Sequence, residues 1–125
     1  MEMGKLYLIY GDDDFLIDDE LVRLKEKAAQ QDLDILASDV ELKVFFQLIA
    51  SQSLFAETRL MTIKNPWFMM KALEKHDMES LERCLKALDE SEHVCILCCY
   101  KPLDKRLKAV KSILKFAQKY EVKGF

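Results

Sequence analysis

Leu6-Tyr7-Leu8-Ile9-Tyr10-Gly11, followed at once by Asp12-Asp13-Asp14, is the stretch from which the fold can be read. An apolar, aromatic run stopped by a glycine describes a strand buried on both faces, the habit of parallel sheets covered by helices. The three aspartates can cap a following helix, and Asp18, Asp19 and Glu20 complement the positive end of its dipole. Ile17, Leu21, Leu24 and Ala28 then recur at helical spacing, which predicts a helix to about Gln30.

Outward from this unit the alternation continues. Leu33 to Leu36 reads as a short strand. Ser38 or Asp39 caps a helix that carries Val40, Val44, Phe45, Leu48 and Ile49 on its buried side. Leu60 to Ile63 is a third strand, closed by the turn signal Lys64-Asn65-Pro66. Trp67 to His76 fits either a helix start or a packed loop. Met78, Leu81, Leu85 and Leu88 mark a further helix, and Val94 to Tyr100 is the most apolar strand. Leu103, Leu107, Val110, Leu114 and Ala117 form a stripe with Lys105, Lys108, Lys111, Lys115 and Lys119 off it, an amphipathic helix before a last strand at Tyr120 to Val122. The expected fold is α/β in three layers, a mostly parallel five-stranded sheet with helices on both faces.

Composition narrows the class. The 125 residues suit one domain, and a chain half apolar and one-third charged has the makings of a packed core. No apolar run is long enough to span a bilayer and the amino terminus lacks a signal pattern, so the expected location is cytoplasmic, with no membrane partner. Cys95, Cys98 and Cys99 lie too close together for useful cross-links and are expected as reduced thiols. Net charge is −3, but unevenly spread: Met1 to Glu41 holds 12 acidic and 4 basic residues, whereas Lys101 to Lys119 holds 7 basic residues and one Asp.

Catalytic chemistry finds little purchase. A phosphate loop needs a second glycine, a lysine and a hydroxyl residue, and the corresponding positions hold Leu16, Ile17 and Asp18, so no nucleotide site is expected. A rival reading takes Asp12, Asp13 and Lys101 as the metal-binding acids and lysine of a response-regulator receiver domain that accepts a phosphoryl group. It lacks the acceptor Asp, since no Asp stands between Asp39 and Asp77. In a strand, Cys95 and Cys99 share a face about 13 Å apart while Cys98 points the other way, so no zinc site is expected, even with His93 nearby. One segment fits no periodic pattern: Ala50-Ser51-Gln52-Ser53-Leu54-Phe55-Ala56 places two large apolar residues in a polar loop. They either cover the end of the preceding helix or wait for a partner, where each would contribute about 1.5 to 3 kcal/mol on burial.

Three segments, Tyr7-Leu8-Ile9-Tyr10-Gly11-Asp12-Asp13-Asp14-Phe15-Leu16-Ile17, Ser53-Leu54-Phe55-Ala56-Glu57-Thr58-Arg59-Leu60 and Leu103-Asp104-Lys105-Arg106, resemble in order and spacing the DNA polymerase III delta subunit family. The resemblance runs from Tyr7 to about Val122. It implies a fold like that of AAA+ ATPases with a degenerate phosphate loop, and a single clamp-binding domain over residues 1–125, with the helical lid and collar domains of such a subunit absent. The implied function is non-catalytic, within a holoenzyme that is a DNA-directed DNA polymerase: binding the sliding clamp (beta) and helping to open it for loading onto primed DNA. No cofactor is implied, and the implied partners are the clamp, the other clamp-loader subunits and DNA. By position the clamp-binding element maps onto Leu54 and Phe55 as an apolar wedge, with Ser53 and Gln52 beside it. Clamp-binding peptides carry a Gln three residues before the Leu; here Ser51 stands there and Gln52 is next to it. Trp67, Phe68, Met69 and Met70 form a candidate second clamp contact, with core packing as the alternative. Lys105, Lys108, Lys111 and Lys115 are candidate DNA contacts, with a merely solvated face as the alternative.

Overall fold

The computed structural model describes residues 5–28, 32–50 and 58–123. Its elements follow in the order β1 (Leu6–Gly11), α1 (Asp14–Ala28), β2 (Asp32–Leu36), α2 (Leu42–Ala50), β3 (Arg59–Lys64), a 3₁₀ turn at Trp67–Met69, α3 (Lys75–Glu90), β4 (Val94–Cys99), α4 (Lys108–Phe116) and β5 (Gln118–Val122). The strands form one five-stranded sheet in the order β2-β3-β4-β1-β5, and all four pairings are parallel.

The direction of each crossover decides which face its helix covers, because parallel connections are right-handed. From β1 to β2 the chain travels past β4 and β3 to one edge. The other three connections travel the opposite way, so α1 belongs on one face and α2, α3 and α4 on the other. Two separate cores fill the space. On the α1 side Ile17, Leu21 and Leu24 pack on Tyr7, Ile9, Leu60, Ile96 and Cys98. On the opposite side Phe45, Leu81, Leu88 and Val110 pack with Leu6, Leu8, Met61, Ile63 and Leu97. Since β1 and β4 are clothed on both faces, neither shows the apolar–polar alternation of a half-exposed strand.

Helix starts depart from the sequence reading in two places. Ser38 and Asp39 do not cap α2: the Val40 amide donates to the Ala37 carbonyl (3.1 Å), and Trp67 claims the Ser38 carbonyl through its amide (2.9 Å) and the Val40 carbonyl through its indole N–H (2.6 Å). These tertiary bonds hold residues 37–40 as a turn and delay the helix to Leu42, so Val44 is exposed and Leu42 joins Phe45 and Ile49 on the buried side. Likewise α4 does not begin at Leu103. The Asp104 carboxylate accepts from the Arg106 amide (3.0 Å) and from its guanidinium, an Asx-type turn that holds the chain out of helix until Lys108. Leu103 and Leu107 still pack against the core from this turn, but Lys105 is not on the helix.

At α1 the expectation holds. The Asp13 carboxylate accepts the Leu16 amide (3.1 Å), a cap at the position before the first helical residue. Gly11 sits where β1 meets the end of β5, in register with Val122. A Cβ at position 11 would lie 1.9 Å from the Val122 carbonyl oxygen, inside any permitted contact. Gly11→Ala should therefore force β5 away from β1 and cost about 2 kcal/mol, the scale of overpacking. Thermal melting checks this, and an unchanged melting temperature would mean that the β5 edge yields freely.

Candidate functional site

In open parallel sheets ligands bind at the carboxyl ends of the strands. Here that edge is tied together by the chain's own side chains. Asn65, after β3, adopts a left-handed backbone with φ 49°. Its amide donates to the Cys98 carbonyl (2.7 Å) and its side-chain oxygen accepts the Tyr100 amide (2.9 Å), which joins the ends of β3 and β4. The Tyr100 hydroxyl donates to the Asp18 carboxylate on α1. Lys64 stands 3.8 Å from the same carboxylate and 5.8 Å from the Tyr100 ring centre. Burial, and then the bond to Asp18, push the Tyr100 phenol above its ordinary range, so it stays a neutral donor. Asp18 thus serves a tertiary contact rather than the helix dipole. Asp19 and Glu20 lie against Arg23 at 2.8 and 3.6 Å.

The residues at the phosphate-loop positions have structural duties as well: Ile17 is fully buried and Leu16 is half-buried. Beside them an open cleft of about 280 Å³ lies between the ends of β1 and β5, walled by Tyr10, Pro102 and Leu103 with Lys105 and Glu121 among its lining residues. The receiver reading is set aside on two grounds. A receiver sheet has the order 2-1-3-4-5, with β1 beside β2, whereas here β1 lies between β4 and β5. At the end of β3, where an acceptor Asp would stand, the chain has Lys64 and Asn65, and Asp13 is spent as a helix cap.

The cysteines divide as strand alternation requires, Cys95 and Cys99 on the α2–α4 side and Cys98 on the α1 side. Cys84, from α3, contacts the Leu42 carbonyl at 3.5 Å. His93 does not join them in a ligand set; its Nδ1 accepts the Arg59 amide (3.0 Å). Among the described residues no three His, Cys, Asp or Glu side chains converge as metal ligands.

Of the candidate binding residues, Gln52, Ser53, Leu54 and Phe55 lie outside the described residues, in the segment 51–57 between α2 and β3. The Trp67 to Met70 cluster is split by its 3₁₀ turn. Phe68 stacks on Phe45 at 6.3 Å and is fully buried, as is Met69 beside Cys99, so as surface contacts these two are corrected to core residues. Trp67 is half-buried under the Lys71 ammonium, 5.3 Å from its ring, and Met70 is exposed. Lys108, Lys111 and Lys115 are exposed on one side of α4, and Lys105 is exposed in the turn before it. Sequence reading missed the tie among Asp18, Lys64, Asn65 and Tyr100. The turn signal at Asn65 was its one visible trace.

A family model described as DNA polymerase III, delta subunit, matches residues 7–123. The chain belongs to this family. A curated relative, DNA polymerase III subunit delta of Bacillus subtilis (strain 168), is 29% identical over 132 residues, covering 98% of this chain and 38% of the relative. The solved structure of the Bacillus subtilis DNA clamp loader delta protein superposes with a TM-score of 0.77 at 22% identity, over 99% of this chain and 40% of that one. The likeness confirms the parallel α/β fold, and the chain spans about two-fifths of the length of these relatives.

Burial pushes the thiols of Cys84, Cys98 and Cys99 up to about 12, and that of Cys95 further still. Because the thiolate is the reactive form, the native chain at pH 8 should react with a thiol reagent at least about a thousandfold more slowly than free cysteine. All four thiols should react at once in denaturant. One fast-reacting thiol in the native chain would contradict the buried placement.

Proposed function

We propose that this chain is the sliding-clamp-binding domain of a delta-type clamp-loader subunit, one domain of a longer protein, with no catalytic step of its own. The observation that carries the reading is the family match over residues 7–123. Leu54 and Phe55 are the wedge that enters a pocket on the clamp, with Ser53 and Gln52 as polar contacts at its side. Two features support this choice. Phe68 and Met69 are core residues, which leaves Trp67 and Met70 as a lesser, flanking contact. The flanks of the wedge segment are the last turn of α2 and the first residue of β3, elements fixed by Ile49 and Leu60 in the two cores.

In this reading the domain helps to open the clamp by fitting the opened ring better than the closed one, which shifts the population toward open. Its other partners are the remaining loader subunits and DNA. Lys108, Lys111 and Lys115, at helical spacing on the exposed side of α4, are the residues for phosphate contact, and Lys105 extends that surface from the adjoining turn. The site of action is the cytoplasm, where the replication machinery works; among the described residues no helix is long and apolar enough to cross a membrane.

The wedge is tested by Leu54→Ala with Phe55→Ala. Two lost anchors should weaken binding to immobilised clamp by two or more orders of magnitude with an unchanged melting temperature. If the pair instead covered the domain's own core, truncation would cost about 2 to 5 kcal/mol per residue and the melting temperature would fall. Unchanged affinity in a normally melting double variant would overturn the assignment of the site.

A further inference from the structure

His93 is buried, 8% exposed, yet no step of clamp binding uses it. It stands in the short connection that leads from α3 into β4, and that connection is closely fixed. The Ser91 hydroxyl donates to the Leu88 carbonyl (2.9 Å) and accepts the His93 amide (3.1 Å). The Lys5 ammonium donates to the carbonyls of Asp89 (3.0 Å) and Ser91, and the Cys95 amide donates to the Lys5 carbonyl (2.8 Å). From this frame the imidazole reaches the adjacent strand, where Nδ1 accepts the amide of Arg59, the first residue of β3. An acceptor at Nδ1 requires the neutral ring with its proton on Nε2.

We propose that His93 is a positioning residue that latches the amino end of β3 through the Arg59 amide, and that acidification opens the latch. Protonation puts a hydrogen on Nδ1, so two donors face each other where a donor and an acceptor stood. The fold therefore favours the neutral ring, so the tether is complete at neutral pH and is lost only as pH falls below the ordinary imidazole value of ~6.5. The charged residues on the segments that make this contact are Arg59 of β3, Lys5 ahead of β1, Glu92 next to His93 in the chain, and Asp89 and Glu90 on the last turn of α3. Carboxylates favour the imidazolium and cations oppose it, so the balance of these charges sets how far below that value the latch opens. Arg59 is the point at which the chain re-enters the sheet after residues 51–57. The latch therefore fixes the anchor of the segment that contains Leu54 and Phe55.

The test reads the latch itself and uses no clamp, so it stands apart from the docking proposal. Amide hydrogen exchange at Arg59, corrected for intrinsic pH dependence, is followed in the full chain between pH 7.5 and 5.0, with Leu97 as the internal reference in the sheet. Protection at Arg59 should fall by at least about tenfold on acidification while Leu97 stays protected. His93→Asn keeps a side-chain acceptor near the position of Nδ1 without a titratable ring, and its Arg59 protection should be flat across the range. A flat wild-type profile would overturn the proposal. So would an equal fall in His93→Asn, or a fall shared by Leu97, which would report acid unfolding of the whole sheet.

Discussion

Everything in this domain is arranged around a single reversal of direction. The first connection carries the chain from β1 across β4 and β3 to the far edge, and each later connection carries it back. With right-handed crossovers, that reversal splits the helices one against three. It also makes β1 and β4 inner strands clothed on both faces, where Leu6 to Ile9 and Cys95 to Cys99 are all buried. β5 remains at an edge. Its exposed Gln118, Lys119 and Glu121 are what an edge strand needs to avoid pairing with another chain.

This constraint explains which parts of the fold were legible in the sequence. Doubly buried strands are written as uninterrupted apolar runs, and the runs at Leu6 and Val94 could be placed within a residue or two of β1 and β4. The stripe of α1 was legible for the same reason, since Ile17, Leu21 and Leu24 meet the sheet. Helix starts set by distant partners were not. Nothing local to Ser38 says that Trp67 will take its carbonyl, and the period from Leu103 to Ala117 cannot reveal that Asp104 folds back on Arg106. In both places most of the apolar residues face the core as read, Val44 being the exception, and a tertiary or side-chain hydrogen bond decides that they are not all helical.

The candidate site was legible to a lesser degree, because composition cannot separate an aromatic that packs from one that waits for a partner. Trp67 to Met70 is one apolar cluster in sequence. A 3₁₀ turn sends Phe68 and Met69 inward and leaves Met70 at 37% exposure. The acids after β1 read as a helix start, and Asp13 does cap α1. Asp18 needed Tyr100, 82 residues away in the chain, before its role could be seen. Conversely, Phe15 and Ile35, each 76% exposed, sit inside segments whose sequence suggests burial.

The two ends of the sheet carry different work. At the carboxyl edge, where this kind of sheet offers ligands a crevice, Asn65 bonds β3 to β4 and the Asp18–Tyr100 bond fastens β4 to α1. Groups that an enzyme of this architecture would turn toward substrate are turned toward each other. The Lys64–Asp18 ionic pair in this tie is exposed and contributes little, but Tyr100 is held as a neutral donor and Asn65 in a conformation few residues accept. At the amino edge stand the last residue of α2 and the first of β3, with His93 holding the latter. A binding module gains affinity when its contact segment leaves from fixed points, since less ordering is left for the moment of association. A sheet tied by its own side chains at one edge, with a polar latch at the other, supplies those fixed points. Under the proposed reading, that division suits a domain that docks.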